Sequence, residues 1–140
     1  MKIIAGANKG RKLACLQGRK VRPTSGKVRE AIFSICSRRV SGAMVADLFA
    51  GTGAFGLEAL SRGAGHAVFV ESDPRALAII KKNVTACRVS DQSTVLSRNI
   101  LEDQGFLART GFSFDLVFMD PPYNRGAVVP ALKRLEAEGV

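Results

Sequence analysis

The chain has 140 residues, an ordinary 46% apolar share, and 21 Lys and Arg against 12 Asp and Glu, for a net charge of +9. That length supports one domain with its own core, while a single histidine (His66) and three scattered cysteines (Cys15, Cys36, Cys87) exclude a histidine-rich metal site and leave no CxxC pair. No apolar run reaches membrane-span length and the N-terminus lacks a signal-peptide core, so the expectation is a reduced, soluble, cytoplasmic protein without a metal.

In chain order, Lys2 to Ala7 and Arg11 to Cys15 read as two short strands around an Asn8-Lys9-Gly10 turn. Gln17 to Lys20 is loop-like, and Arg22-Pro23-Thr24-Ser25 ends the extended stretch and offers a hydroxyl helix cap. The spacing then predicts a helix over about Gly26 to Arg38, with Val28, Ala31, Ile32 and Ile35 inward and Lys27, Arg29 and Arg38 outward. Val40 to Ala43 links it to an apolar run of strand type that begins at Val45 and breaks into glycines at 51, 53 and 56. A helix follows from Leu57, ending near Gly63.

Ala67 to Glu71 is a second buried strand, and Asp73-Pro74 opens a helix whose inner face carries Leu77, Ile80 and Val84. Ser93 to Ser97 is a weaker strand, Ile100 to Ala108 a short helix, and Phe114 to Met119 a fourth strand. Val128 to Ala137 is a last helix with Val128, Val129, Leu132 and Leu135 inward. Strands alternating with helices imply an α/β fold: a Rossmann-like parallel sheet with helices on both faces, preceded by a small hairpin-and-helix extension. The expected division is a basic N-terminal extension over 1–40 and a core over 41–140.

Charge follows the same division. Residues 1–40 carry a net +10 and residues 41–140 a net −1. One basic end on a balanced body is the footprint of a polyanion partner, a nucleic acid ahead of an acidic protein surface. Lys9, Arg11, Lys12, Arg22, Lys27 and Arg29 are the candidate contacts.

A strand running through a glycine-rich turn into a helix is a nucleotide-type binding corner, and Gly51, Gly53 and Gly56 match GxGxxG. Asp47 discriminates between cofactors. A carboxylate at the end of that strand repels a pyrophosphate and attracts a cation. That favours S-adenosylmethionine, which carries an ammonium and a sulfonium, over NAD. Phe49, Ala50, Gly51, Thr52 and Gly53 form the turn. Glu71, at the end of the second strand, can accept the ribose hydroxyls, with Asp73 more naturally a helix cap. Asn99 and Ile100 follow the third strand, where an adenine ring could be edged.

Asp120-Pro121-Pro122-Tyr123 follows the fourth strand. The two prolines fix the backbone and remove two donors. The Asp120 carboxylate and the Pro121 carbonyl are left as convergent acceptors beside the Tyr123 ring. An exocyclic amine on a nucleobase offers two N–H donors and a flat ring to stack. Two acceptors pulling on those hydrogens free the nitrogen lone pair for attack on a methyl carbon.

Asp47-Leu-Phe-Ala-Gly-Thr-Gly resembles motif I of class I S-adenosylmethionine-dependent methyltransferases, and Asp120-Pro-Pro-Tyr resembles their amino-group catalytic motif. Ile4-Ala-Gly, Gly10-Arg-Lys-Leu, Arg22-Pro-Thr-Ser and Val28-Arg-Glu-Ala-Ile-Phe narrow the resemblance to the RsmD-type 16S ribosomal RNA guanine-N(2) methyltransferases of bacteria. It covers essentially the whole chain. It implies methylation of a guanine amine in small-subunit ribosomal RNA, free or in an assembling subunit. The basic extension would grip phosphates, and the target base would be flipped into the cleft. It also implies further C-terminal strands, since the family fold continues past Val140. A DNA adenine or cytosine amine methyltransferase and a non-catalytic RNA-binding remnant are the alternative readings.

Overall fold

The computed structural model describes residues 1–18, 23–122 and 126–140. Arg22 and Tyr123, both named above, lie outside the described residues. Four strands, β1 (Met44–Leu48), β2 (His66–Glu71), β3 (Ser93–Ser97) and β4 (Leu116–Met119), form one sheet in the order β3-β2-β1-β4. All three pairings are parallel, as the alternation of strands and helices requires. The helices are α1 (Gly26–Ile35), α2 (Ser37–Val40), α3 (Ala54–Ser61), α4 (Pro74–Ala86), α5 (Phe106–Arg109) and α6 (Val128–Ala137).

Helices cover both faces of the sheet, so the two central strands are buried on both sides and read as continuous apolar runs. Val45, Ala67, Phe69 and Phe118 face one cluster with Phe33, Phe55, Leu57 and Ile80. Ala46, Leu48, Val68 and Val70 face the other with Ile100, Phe106, Leu107 and Leu135. Asp73 caps α4 by accepting the Arg75 N–H at 2.9 Å, with Pro74 in the first turn, as the sequence implies.

The expected N-terminal strands reduce to one antiparallel bridge, Lys2 to Lys12. The Ile3 N–H donates to Arg11 O at 3.0 Å and the Leu13 N–H to Met1 O at 2.9 Å. Ile3 and Leu13 are buried in the first cluster, so this segment is part of the core and not a loose arm.

Two helix faces differ from expectation. In α1 the buried residues are Arg29 and Phe33, while Val28 is exposed and Ile35 is 87% exposed. Full burial of the Phe33 ring contributes about 2–3 kcal/mol. It lies 5.1 Å from Phe118 and 6.3 Å from Phe55, centroid to centroid. This aromatic seat, together with a buried acid on α3, turns the helix away from the face that Val28 and Ile35 define. Arg29, expected to point at a polyanion, is 2% exposed, with Nε 3.6 Å from Oε2 of Glu58. It is an internal counter-charge and is removed from the candidate phosphate contacts. In α6, Ala131 and Leu135 are buried and Val128, Val129 and Leu132 are exposed. The small side chain of Ala131 lets the helix approach the body closely, and the bulkier valines are left outside. The short helix expected over Ile100 to Ala108 is a turn at Ile100 to Glu102 and then α5.

Candidate functional site

The register of the sheet builds the site. Asp47 pairs with Phe69 on β2 and with Phe118 on β4, and Leu48 pairs with Val70 and Met119. One residue beyond the Leu48 level stand Glu71 on one side and Asp120 on the other. The exit of β1, Phe49 to Gly53, therefore rises between Glu71 and Asp120, whose backbones stand two strand spacings, about 10 Å, apart. This is the carboxyl edge of the sheet, where open α/β folds bind ligands.

The glycine turn is held from below and from both sides. Phe49, without being glycine, takes φ 55°, followed by Gly51 at 57° and Gly53 at 80°. Left-handed backbone at a bulky residue stores strain that the surroundings must hold. Three bonds do so: the Ala50 N–H donates to Val70 O at 3.0 Å, the Gly51 N–H to Oε2 of Glu71 at 2.8 Å, and the Gly56 N–H to Oδ2 of Asp47 at 2.9 Å. Gly56 answers to packing: a Cβ there would lie 2.3 Å from Cε1 of Phe69, so α3 sits directly on β2. The side chain of Asn83 completes the clamp, donating to Thr52 O at 3.0 Å while bonding both the N–H and the carbonyl of Ala14.

The electrostatics are those of a cation site. Asp47 is buried and its carboxyl is pushed up to about 8, first by loss of water and then by the charges of Asp120 and Glu71, against the Gly56 N–H that favours ionisation. Among the described residues none of these three acids is paired with Lys or Arg. A pyrophosphate is repelled here, and a ligand carrying an ammonium and a sulfonium complements the cluster. The residues present therefore fit S-adenosylmethionine.

Each expected residue among the described ones can be placed. Asp47, Phe49, Ala50, Gly51, Thr52, Gly53 and Glu71 share one corner. Glu71 is more committed than expected, since Oε1 also accepts the N–H groups of Ser72 at 2.8 Å and Asp73 at 2.9 Å. Three of about four lone-pair positions are thereby used, which makes Glu71 a brace of the turn as well as a candidate ribose acceptor. Asn99 folds its own turn, Oδ1 accepting the Leu101 N–H at 2.9 Å, and the Ile100 side chain is buried in the core. The Asn99 N–H donates to Oδ2 of Asp103 at 2.8 Å and its carbonyl accepts the Asp103 N–H at 2.8 Å, so only the Ile100 backbone and the outer edge of Asn99 remain to face a ligand. Asp120 stands at the opening, followed by half-buried Pro121 and exposed Pro122. Lys9, Arg11, Lys12 and Lys27 are exposed.

Three contributing residues were not legible as such. Glu58 is fully buried and accepts the N–H groups of Ile4 at 2.9 Å and Ala5 at 3.1 Å and the Nε–H of Arg62 at 2.8 Å. A lone acid in the otherwise apolar Ala-Phe-Gly-Leu-Glu-Ala-Leu was the available signal, since a buried charge demands partners. Asn83 and Thr24 carried no such mark. Among the described residues no group of His, Cys, Asp and Glu is arranged to hold a metal ion, and no helix is long and apolar enough to cross a membrane.

Comparison with known proteins agrees with this fold. A family profile described as "Conserved hypothetical protein 95" matches residues 1–140. The chain is 36% identical to the ribosomal RNA small subunit methyltransferase D of Escherichia coli K12, over 99% of this chain and 68% of that one. It is 35% identical to the protein of the same name from Haemophilus influenzae, over 96% of this chain and 70% of that one. The solved structure titled "Putative methyltransferase yhhF from Escherichia coli" superposes with a TM-score of 0.84 at 34% identity, covering 99% of this chain and 73% of that chain. With the family profile matching the whole chain and the relatives alike over nearly its full length, the chain belongs to the RsmD family, that of the ribosomal RNA small subunit methyltransferases D, and has the class I methyltransferase fold.

Proposed function

We propose that this protein methylates the exocyclic N2 amine of a guanine in 16S ribosomal RNA, using S-adenosylmethionine, with the base flipped out of its stack into the cleft. The observation that carries the reading is the meeting of the glycine turn, Glu71 and Asp120-Pro121-Pro122 at the carboxyl ends of three adjacent strands. The names of the relatives support ribosomal RNA as substrate class, and the Asp-Pro-Pro-Tyr motif supports an amine as acceptor.

The turn from Phe49 to Gly53 would receive the cofactor, with Glu71 at its ribose and the Asp47 cluster as the field that favours its cationic end. When bound, S-adenosylmethionine supplies a methyl group made electrophilic by a positively charged sulfur. The carboxylate of Asp120 and the carbonyl of Pro121 accept the two amine N–H groups. Their pull draws the nitrogen out of conjugation and fixes it in line, and Tyr123 stacks on the base. Asp120 then holds or passes on the proton that the amine gives up. Lys9, Arg11, Lys12, Lys27 and Arg22 position the RNA through phosphates without reading its sequence.

The test is incubation of the protein with tritiated methyl donor and unmodified 16S RNA or small subunits, followed by nucleoside analysis. N2-methylguanosine is the expected product. Label in another nucleoside, or in DNA alone, overturns the reading. Asp120→Ala separates a methyltransferase, which loses transfer and keeps RNA binding, from a pure RNA binder, which is indifferent.

A further inference from the structure

Thr24 lies just before the Ser25 cap of α1, and its hydroxyl donates to Oδ2 of Asp120, 96 residues further along the chain. This links the N-terminal extension directly to the acid of the Asp-Pro-Pro motif. The placement is built. Ser25 starts the helix by accepting the Val28 N–H at 3.3 Å. One turn on, Arg29 is sunk against Glu58 of α3 and also donates to Lys2 O. A further turn on, Phe33 packs on Phe118, two residues before Asp120. Helix α1 is thus pinned to β4 and α3 from inside, and its entry is held over the end of β4.

Resting on the function proposed above, we infer that Thr24 is a positioning residue for the transfer. It fixes the rotation of the Asp120 carboxylate so that Oδ1 stays open to the target amine. A carboxylate at a strand exit can turn about its side-chain bonds, and an acceptor that must meet one N–H in line loses most of its value when it does. The threonine hydroxyl occupies one oxygen as donor and leaves the other directed to the cleft. It also offers no N–H or cation that would compete for the substrate's place.

The experiment measures single-turnover methylation of 16S RNA by the full chain, with RNA and S-adenosylhomocysteine affinities and thermal midpoints recorded alongside. Thr24→Val, which keeps the shape and removes the donor, is expected to slow transfer about 10- to 100-fold with both affinities unchanged. Thr24→Ser, which restores the hydroxyl, is expected to recover most of the rate. In an Asp120→Asn background, Thr24→Val should cost little further, because the two act as one unit. Thr24→Ala provides a second hydroxyl-less variant should Val disturb the entry to α1. A normal rate in both hydroxyl-less variants, with Asp120→Ala inactive, overturns the role of Thr24 alone. So does a loss that Ser does not restore and that follows RNA affinity or the midpoint. A normal rate in Asp120→Ala overturns the reading of the site itself.

Discussion

Arg29 and Glu58 form an ion pair in which neither side chain reaches water, and the same Glu58 carboxylate ties Ile4 and Ala5 to α3. Nε and Nη1 of Arg29 have no hydrogen-bond partner among the described residues, so the pairing is one of charge and not of forked hydrogen bonds. Its value lies in what its loss would leave. Glu58→Ala strands a buried guanidinium and two backbone donors, and is expected to cost about 3–5 kcal/mol, read from urea unfolding. A change within error would show that water reaches the pair.

The exposed charges of the same region should behave in the opposite way. Replacing Lys9, Arg11 and Lys12 together by Ala is expected to leave stability within about 0.5 kcal/mol. RNA affinity should fall, and the slope of log affinity against log salt should drop by about 2, at about 0.7 per lost phosphate contact on single strands. Arg29→Met should show the reverse: a lowered midpoint and an unchanged slope. Titrations at several salt concentrations separate the two.

Asp47 gives the cofactor corner a pH signature. Its carboxyl is ordinary in the unfolded chain, at 3.8, and raised to about 8 in the fold, so the native state holds a proton that the unfolded state releases. The stability linked to that proton is complete below the unfolded value and is lost as pH rises toward about 8. The ligand-free protein is expected to weaken across that window, and Asp47→Asn to flatten the decline. Binding of the cationic methyl donor should tighten as pH rises through the upper part of the same window, measured by calorimetry in buffers of different ionisation enthalpy. A pH-independent affinity would exclude a link between this carboxyl and the ligand's charge.

Asn83 joins Ala14 of the N-terminal segment to Thr52 of the glycine turn. Asn83→Ala leaves those backbone groups unpaired inside the fold, at a cost of about 1–3 kcal/mol. Hydrogen exchange should show the Ala14 amide opening first, and cofactor affinity should fall although Asn83 lies beneath the turn. Unchanged protection at Ala14 would show that the Asn83 bonds do not hold this segment in place.

The parallel sheet, the glycine corner and the grouping of Asp47, Glu71 and Asp120 at one edge were legible, because apolar runs, glycines and strand-end acids are local signals. The faces of α1 and α6 were not. Counting apolar residues in α1 selects Val28 and Ile35, yet the face is decided by Phe33 and by Glu58, whose need for a cation draws Arg29 inward. In α6 the same count selects Val128, Val129 and Leu132, whereas close approach favours Ala131. Thr24 was read as part of a helix entry; its bond to Asp120 exists only once β4 has paired beside β1.

That pairing is also the one long-range step in the order of the described strands. β1, β2 and β3 are neighbours both in sequence and in the sheet, whereas β4 reaches β1 across a gap that the Met44–Asp115 bond spans with 71 residues. As the polypeptide leaves the ribosome, the half that would grip the methyl donor can close on itself before the segment bearing Asp120 has been made. On the function proposed above, the segments that would hold the methyl donor are therefore made before the one that carries Asp120.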